Sequence, residues 1–183
     1  MNQSALDNLL NWLLSLEDSQ LRGVIIDLGD GAGLTRFGIT QKFDGASVPP
    51  SFWSTMNRDE ALAAARQFYQ TKFWDMLSLG DLGNVVLAAS VLSCAVNCGA
   101  GRAIELCEQA LEVAPRNWTA IRAALNEAAQ APLLQRFVAA WQAYYKGLVD
   151  RTPEDARYLA GWLARAARLY DPKVVTPIPP YQP

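Results

Sequence analysis

Leu6, Leu9, Leu10, Leu13, Leu14 and Leu16 recur at three- and four-residue intervals, so the chain opens on a predicted helix with a single leucine face. Ser4 with Asp7 three residues later looks like its capping box, and its end is expected near Glu17. Between Gly23 and Gly45 this period breaks. Val24-Ile25-Ile26, the glycine-rich run Gly29 to Gly33, and Thr35-Arg36-Phe37-Gly38-Ile39-Thr40 predict short strands or an irregular hairpin. Helical spacing returns after Pro49-Pro50, where Asn57 followed by Glu60 opens a helix through Leu62, Ala65, Phe68 and Tyr69 towards Trp74. A second helix is expected from Leu82 to Asn97, and Gly99-Ala100-Gly101 divides it from a third that ends near Val113. Asn117 caps a short helix, Pro132 opens a longer one to Gly147, and Thr152-Pro153-Glu154-Asp155 starts the last. From Asp171 onward, Pro172, Pro177, Pro179, Pro180 and Pro183 exclude a helix and predict an extended tail. The pattern as a whole is mainly α, with a small β-hairpin/loop insertion.

Composition narrows the chemistry. A length of 183 residues suits one domain or two small lobes, and no internal repeat is visible. With no histidine anywhere, Ser-His-Asp triads, HExxH zinc sites and imidazole proton shuttles are excluded together. Acid-base chemistry then falls to carboxylates, Lys, Cys or Tyr. A net charge of -2 without any basic run argues against nucleic acid as a partner. Cys94, Cys98 and Cys107 fall at helical spacing in one apolar stretch and read as buried free thiols; no second cluster completes a metal site, so no metal is expected. The Gly29 to Gly33 run follows a short apolar strand as a dinucleotide-binding turn does. The extended residues Thr35 to Thr40 stand where a helix N-terminus would have to meet the pyrophosphate, so no cofactor is expected. Met1 to Leu16 lacks a basic start and carries Asp7, and is expected to be neither a signal peptide nor a membrane span.

The residues best placed for chemistry are Glu17, at the end of the leucine helix, and the polar loop after it with Asp27, Asp30, Thr35 and Arg36. Glycosidic cleavage needs one carboxyl that donates a proton to the leaving oxygen, and a second carboxylate or polar group that orients water or stabilises the oxocarbenium-like state. Glu17 suits the first role, because partial burial at a helix-loop junction favours a protonated carboxyl. Its neighbour Asp18 is the alternative acid.

Asp30-Gly31-Ala32-Gly33-Leu34-Thr35-Arg36-Phe37-Gly38-Ile39-Thr40 resembles the Asp-Pro-Gly-Gly-x-Thr-x-Phe-Gly-Ile-Thr loop of the glycoside hydrolase family 108 muramidases. Phe73-Trp74-Asp75, Ala95-Val96-Asn97-Cys98-Gly99 and Gln109-Ala110-Leu111 are similar to that family's Tyr-Trp-Asp, Ala-Val-Asn-x-Gly and Leu-Gln-x-Ala-Leu segments, in the same order. Tyr158-Leu159-Ala160-Gly161-Trp162-Leu163-Ala164-Arg165 resembles the Phe-x-x-Gly-Trp-x-x-Arg of its C-terminal peptidoglycan-binding half. The likeness runs from about Glu17 to Arg168. It departs around the acid, where Asp18-Ser19-Gln20 replaces Gly-Gly-Tyr.

This resemblance implies a lysozyme-like helical fold that cuts the β-1,4 bond between N-acetylmuramic acid and N-acetylglucosamine. It puts Glu17 in the place of the general acid and Asp30 with Thr35 in the place of the groups that orient water and sugar. Asn97 and Trp74 would line the cleft, and Asp27 and Arg36 of the polar loop are the further candidate contacts to the glycan strand of peptidoglycan. The implied organisation is a catalytic lobe at 1–113, a C-terminal helical lobe at 114–170 and the proline-rich tail at 171–183. Such an enzyme, made in the cytoplasm without a signal peptide, would reach the wall or periplasm through a holin or export machinery, or act from a virion. The alternative is a lysozyme-like scaffold without catalysis, serving as a binding or structural module of a phage particle or secretion apparatus.

Overall fold

The computed structural model describes residues 2–27, 29, 31–114 and 117–169. Asp30 and the proline-rich tail therefore lie outside the described residues. The chain groups into two compact units that part between Met76 and Leu77, within the stretch 1–113 that the sequence treats as one lobe.

The first unit starts with α1 (Gln3–Leu14), which buries Leu6, Leu9, Leu10, Trp12, Leu13 and Leu14. Its cap is Asn2 and not Ser4, because the Asn2 side chain accepts from the Ala5 N–H at 2.9 Å. The helix ends at Leu14, a turn earlier than its apolar period predicts. The N–H groups of Glu17 and Asp18 both bond back to the Leu14 carbonyl, at 3.0 and 2.9 Å, and close the helix in a turn. Three short antiparallel strands follow: β1 (Ile26–Asp27), β2 (Leu34–Arg36) and β3 (Ile39–Thr40), with β2 in the middle. Ile26 faces Thr35 across one ladder, and Arg36 faces Ile39 across the other.

A short α2 (Gln41–Asp44) and two 3-10 turns lead to α3 (Arg58–Tyr69). Its predicted cap is observed: the Asn57 carbonyl oxygen of the side chain takes the N–H groups of Asp59 and Glu60. α3 packs on α1 and widens at its end into a π-helical turn, Gln70–Asp75, which carries Trp74 into the core. π-helical turns of this kind are uncommon and recur near functional sites.

The second unit is all helix among the described residues: α4 (Val85–Cys98), α5 (Ala100–Leu111), α6 (Trp118–Glu127), α7 (Gln130–Arg151) and α8 (Ala156–Ala167). α4 is apolar all round, with every residue from Leu87 to Ala95 buried, and it lies against α5 and α7. Asn84 and Asn117 cap α4 and α6 through their side chains, and Glu112, in the left-handed region at φ 56°, ends α5. The longer helix begins at Gln130, two residues before Pro132, which takes a place in its first turn where no backbone N–H is needed. Pro153 opens a 3-10 turn that runs into α8. No helix of the described residues is long and apolar enough to cross a membrane.

The leucine face of α1 supplies much of the first unit's buried surface, and Leu10 has no exposure at all. Leu10→Ala is expected to lower stability by about 2–5 kcal/mol, through lost transfer energy and the cavity left behind. Urea unfolding followed by far-ultraviolet circular dichroism reads this directly; a loss below about 1 kcal/mol would show that α1 is not core.

Candidate active site

The candidate site lies in the first unit, where the turn after α1 meets the β2–β3 hairpin. Phe37 and Gly38 form the two-residue turn of that hairpin, both at positive φ (50° and 75°), as the right-handed twist of the flanking strands favours. Phe37 tolerates the left-handed region because its ring is 3% exposed and packed beneath Gly23. A Cβ on Gly23 would stand 2.5 Å from that ring. The Phe37 carbonyl is taken by the hydroxyl of Tyr69, which donates to it at 2.9 Å from the end of α3.

Gly38 defines the geometry. A Cβ placed there would stand 2.9 Å from Tyr69 Oη, 3.0 Å from Glu17 Cγ and 3.2 Å from Glu17 Cβ. The stem of Glu17 and the hydroxyl of Tyr69 thus flank the same bare stretch of backbone, although α1 and α3 are far apart in sequence. Glu17 itself is exposed, and the partial burial expected of it is absent.

Asp18 has a different occupation. One of its oxygens accepts from the Gly23 N–H at 2.7 Å and the other from the Gln20 N–H at 3.3 Å, so its carboxylate holds the loop from residue 18 to residue 23 closed. Asp27 likewise accepts from the Gly29 N–H at 2.9 Å and shapes the start of the glycine-rich loop.

Arg36 departs from the substrate-contacting role implied for it. It is 4% exposed, and its guanidinium donates to the carbonyls of Gly23 at 2.7 Å, Phe52 at 2.6 Å and Thr55 at 3.1 Å. The cation also lies over the rings of Phe52 and Phe37, at 5.6 and 6.0 Å. Burial pulls its pKa below the ordinary arginine value, while the carboxylate of Glu60 opposes that shift. By strand alternation Thr35 points to the opposite face from Arg36, at the centre of the small sheet.

Trp74, at 5% exposure, is a core residue and offers no open indole face to a sugar. Asn97 belongs to the second unit, where it is exposed on α4 and donates to the Ser93 carbonyl at 3.2 Å. The site therefore brings together Glu17, Gly38 and Tyr69, with Asp18 and Arg36 as the groups that hold the surrounding backbone. Tyr69 was not singled out in the sequence, where it reads as one more apolar position of α3. Its signal is chemical, since a buried tyrosine brings a hydroxyl that needs a partner. Among the described residues no group of three or more Cys, Asp or Glu side chains could hold a metal ion.

Part of the chain is similar to a known family. Residues 22–99 match the family Glycosyl hydrolase 108. The matched segment holds the whole hairpin, α3 and α4, and begins five residues after Glu17. A structure of SagA from Brucella abortus covers 92% of this chain and 92% of its own, with a TM-score of 0.64 and 19% identity. No curated protein matches the chain. The fold, mainly α with a small three-stranded antiparallel sheet, matches that of the SagA structure over nearly the whole chain.

Replacing Arg36 by Met keeps much of the stem's volume and strips three carbonyls of their donor. Because bonds to a charged group are each worth about 1.5–3 kcal/mol and the carbonyls stay buried, a stability loss of about 3 kcal/mol or more is expected. Chemical denaturation measures it, and an unchanged midpoint would show that the guanidinium is not the pin of this loop.

Proposed function

We propose that this chain is an N-acetylmuramidase that cleaves the β-1,4 bond between N-acetylmuramic acid and N-acetylglucosamine in peptidoglycan, with Glu17 as general acid. The observation that carries the reading is the placement of the Glu17 stem across Gly38, beside the Tyr69 hydroxyl, at the one turn of the family-matched hairpin. Of the two adjacent acids, Asp18 spends both oxygens on backbone N–H groups, which supports Glu17 as the proton donor and Asp18 as the residue that positions it. Thr35, on the central strand, serves with Asp30, which lies outside the described residues, as the second set that orients water and sugar. Asp27 acts through the loop it shapes, and Asn97 remains a candidate contact to the glycan strand.

In this reading the hairpin supplies rigidity and Glu17 supplies the proton. General-acid catalysis by a positioned carboxyl contributes about a hundred- to ten-thousand-fold in rate. Any side chain at residue 38 displaces Glu17, Tyr69 or both, so the glycine is part of the site without touching the reacting atoms.

A second reading, a lysozyme-like scaffold that binds peptidoglycan without cutting it, draws on the start of the family match after Glu17 and on the replacement of Gly-Gly-Tyr by Asp18-Ser19-Gln20. Reducing-sugar release from purified peptidoglycan separates the two. The wild-type chain is expected to release sugar and Glu17→Gln to lose at least about a hundredfold in rate while keeping its fold. Sugar release by Glu17→Gln at the wild-type rate overturns the assignment of the acid, and sedimentation with peptidoglycan without any release by the wild type favours the scaffold.

Gly38→Ala gives an independent check. It is expected to cut activity by tenfold or more and to lower stability by about 1–3 kcal/mol, since the new methyl meets Tyr69 and Glu17 at a positive φ. Full activity in this variant would show that the Glu17 stem need not lie where the structure puts it.

A further inference from the structure

The first unit holds a cavity that the proposed cleavage does not use. It measures about 350 Å³ and lies between α3 with its π-helical turn and the turns that follow α2. Small-ligand sites usually run from about 300 to 1,000 Å³, so this one suits a compact ligand. Pro49, Ala64 and Phe68 give it an apolar lining, and Gln67, Thr71 and Lys72 bring its polar groups. Thr71 and Lys72 stand on the π-helical turn itself. Such turns recur at functional sites, and this one sets two consecutive polar residues against the same cavity.

The polar groups form a definite set. Gln67, one turn before Thr71, donates an amide N–H to the Thr71 hydroxyl oxygen at 2.9 Å. That bond orients both side chains, with the Gln67 amide oxygen as an acceptor and the Thr71 O–H as a donor, the pair that one peptide unit needs. Lys72 follows in the chain. Its ammonium pairs with the carboxylate of Asp44, which also accepts from the Thr40 N–H at 3.4 Å, and lies 5.0 and 5.8 Å from the ring centres of Phe68 and Phe73. Asp44 is recessed, with its side chain 15% exposed against 43% for Lys72, so the charge a ligand meets here is positive. Asp44 also engages only one of the three ammonium N–H groups.

We propose that this cavity binds a short peptide with small apolar side chains and a free carboxylate. The peptide unit pairs with Gln67 and Thr71, a methyl-sized side chain rests on Pro49 and Phe68, and the carboxylate takes a charge-assisted bond from Lys72. Resting on the peptidoglycan reading above, the ligand is the peptide stem carried by muramic acid, and the cavity favours strands that bear stems.

The test titrates the full chain with N-acetyl-D-alanyl-D-alanine and follows binding by nuclear magnetic resonance. One-to-one binding is expected, with the signals of Ala64, Phe68 and Thr71 shifted. The same dipeptide with a C-terminal amide keeps the shape and loses the charge, and is expected to bind at least about tenfold more weakly. Lys72→Met keeps an apolar stem and is expected to weaken the carboxylate probe by a similar factor while leaving the amide probe unchanged. Glu17→Gln is expected to bind the probe as the wild type does, so failure of the cleavage reading, seen in sugar release, is separate from failure here. Stem-bearing muropeptides are expected to compete with the probe, and glycan stripped of its stems is not. No binding, shifts confined to other residues, equal binding of acid and amide, full binding by Lys72→Met, muropeptides that fail to compete, or competition by the stripped glycan overturns the proposal.

Discussion

The buried guanidinium of Arg36 is the interaction on which the first unit's geometry rests. The sheet around it has strands of two, three and two residues, too small to hold its own shape by ladder bonds. Arg36 compensates by gathering the carbonyls of Gly23, Phe52 and Thr55, which lie in irregular backbone on both sides of the hairpin and have few other ways to be satisfied. Taking the charge out of water costs several kcal/mol. That cost is offset because three carbonyl oxygens and two aromatic faces surround the cation. A lysine could not do this, since its single nitrogen cannot reach divergent acceptors from one plane.

With β2 pinned, the hairpin turn becomes over-determined. Phe37 in the left-handed region carries about 1–2 kcal/mol of strain, held by burial of its ring under Gly23 and by the Tyr69 hydroxyl on its carbonyl. Gly23 has to be bare because the ring fills the space a side chain would take, and Gly38 because Glu17 and Tyr69 fill it on the other side. Five residues, from the loop after α1, the hairpin turn and the end of α3, thus define one backbone path. The Glu17 stem inherits its position from that path and not from its own helix, which has already ended at Leu14.

Much of this was legible in the sequence, for reasons that differ by element. The leucine period of α1, the Asn57 cap of α3 and the Asn117 cap of α6 are local signals that tertiary packing reinforces. The cap of α1 was misplaced because Ser4 and Asn2 are both good caps, and which one acts depends on where the first turn closes. In the sequence Arg36 stands as a candidate ligand contact because it belongs to the polar loop after Glu17. Its burial depends on carbonyls from residues 52 and 55, a long-range fact no local pattern carries. Tyr69 was hidden for the same reason, since its partner on the Phe37 carbonyl is thirty-two residues away. Cys98 read as buried with its two neighbours because helical spacing cannot say where an apolar helix runs out of cover.

The adjacent acids Glu17 and Asp18 show how backbone geometry assigns roles that residue type leaves open. Both follow the last turn of α1, and both N–H groups bond to the Leu14 carbonyl, so the chain presents their side chains from almost the same point. Asp18, one methylene shorter, reaches the Gly23 and Gln20 N–H groups and closes the loop that carries the Gly23 carbonyl to Arg36. Glu17, with the longer stem, crosses to the hairpin turn. The shorter acid therefore helps build the support on which the longer one rests, and exchanging the two would cost both functions. An aspartate at position 17 stops short of the turn, and a glutamate at position 18 must fold back on itself to reach the same N–H groups. The Asp18-Ser19-Gln20 sequence, which departs from the family pattern at this point, is in that light a local solution to holding the loop, with the carboxylate of Asp18 supplying the closure.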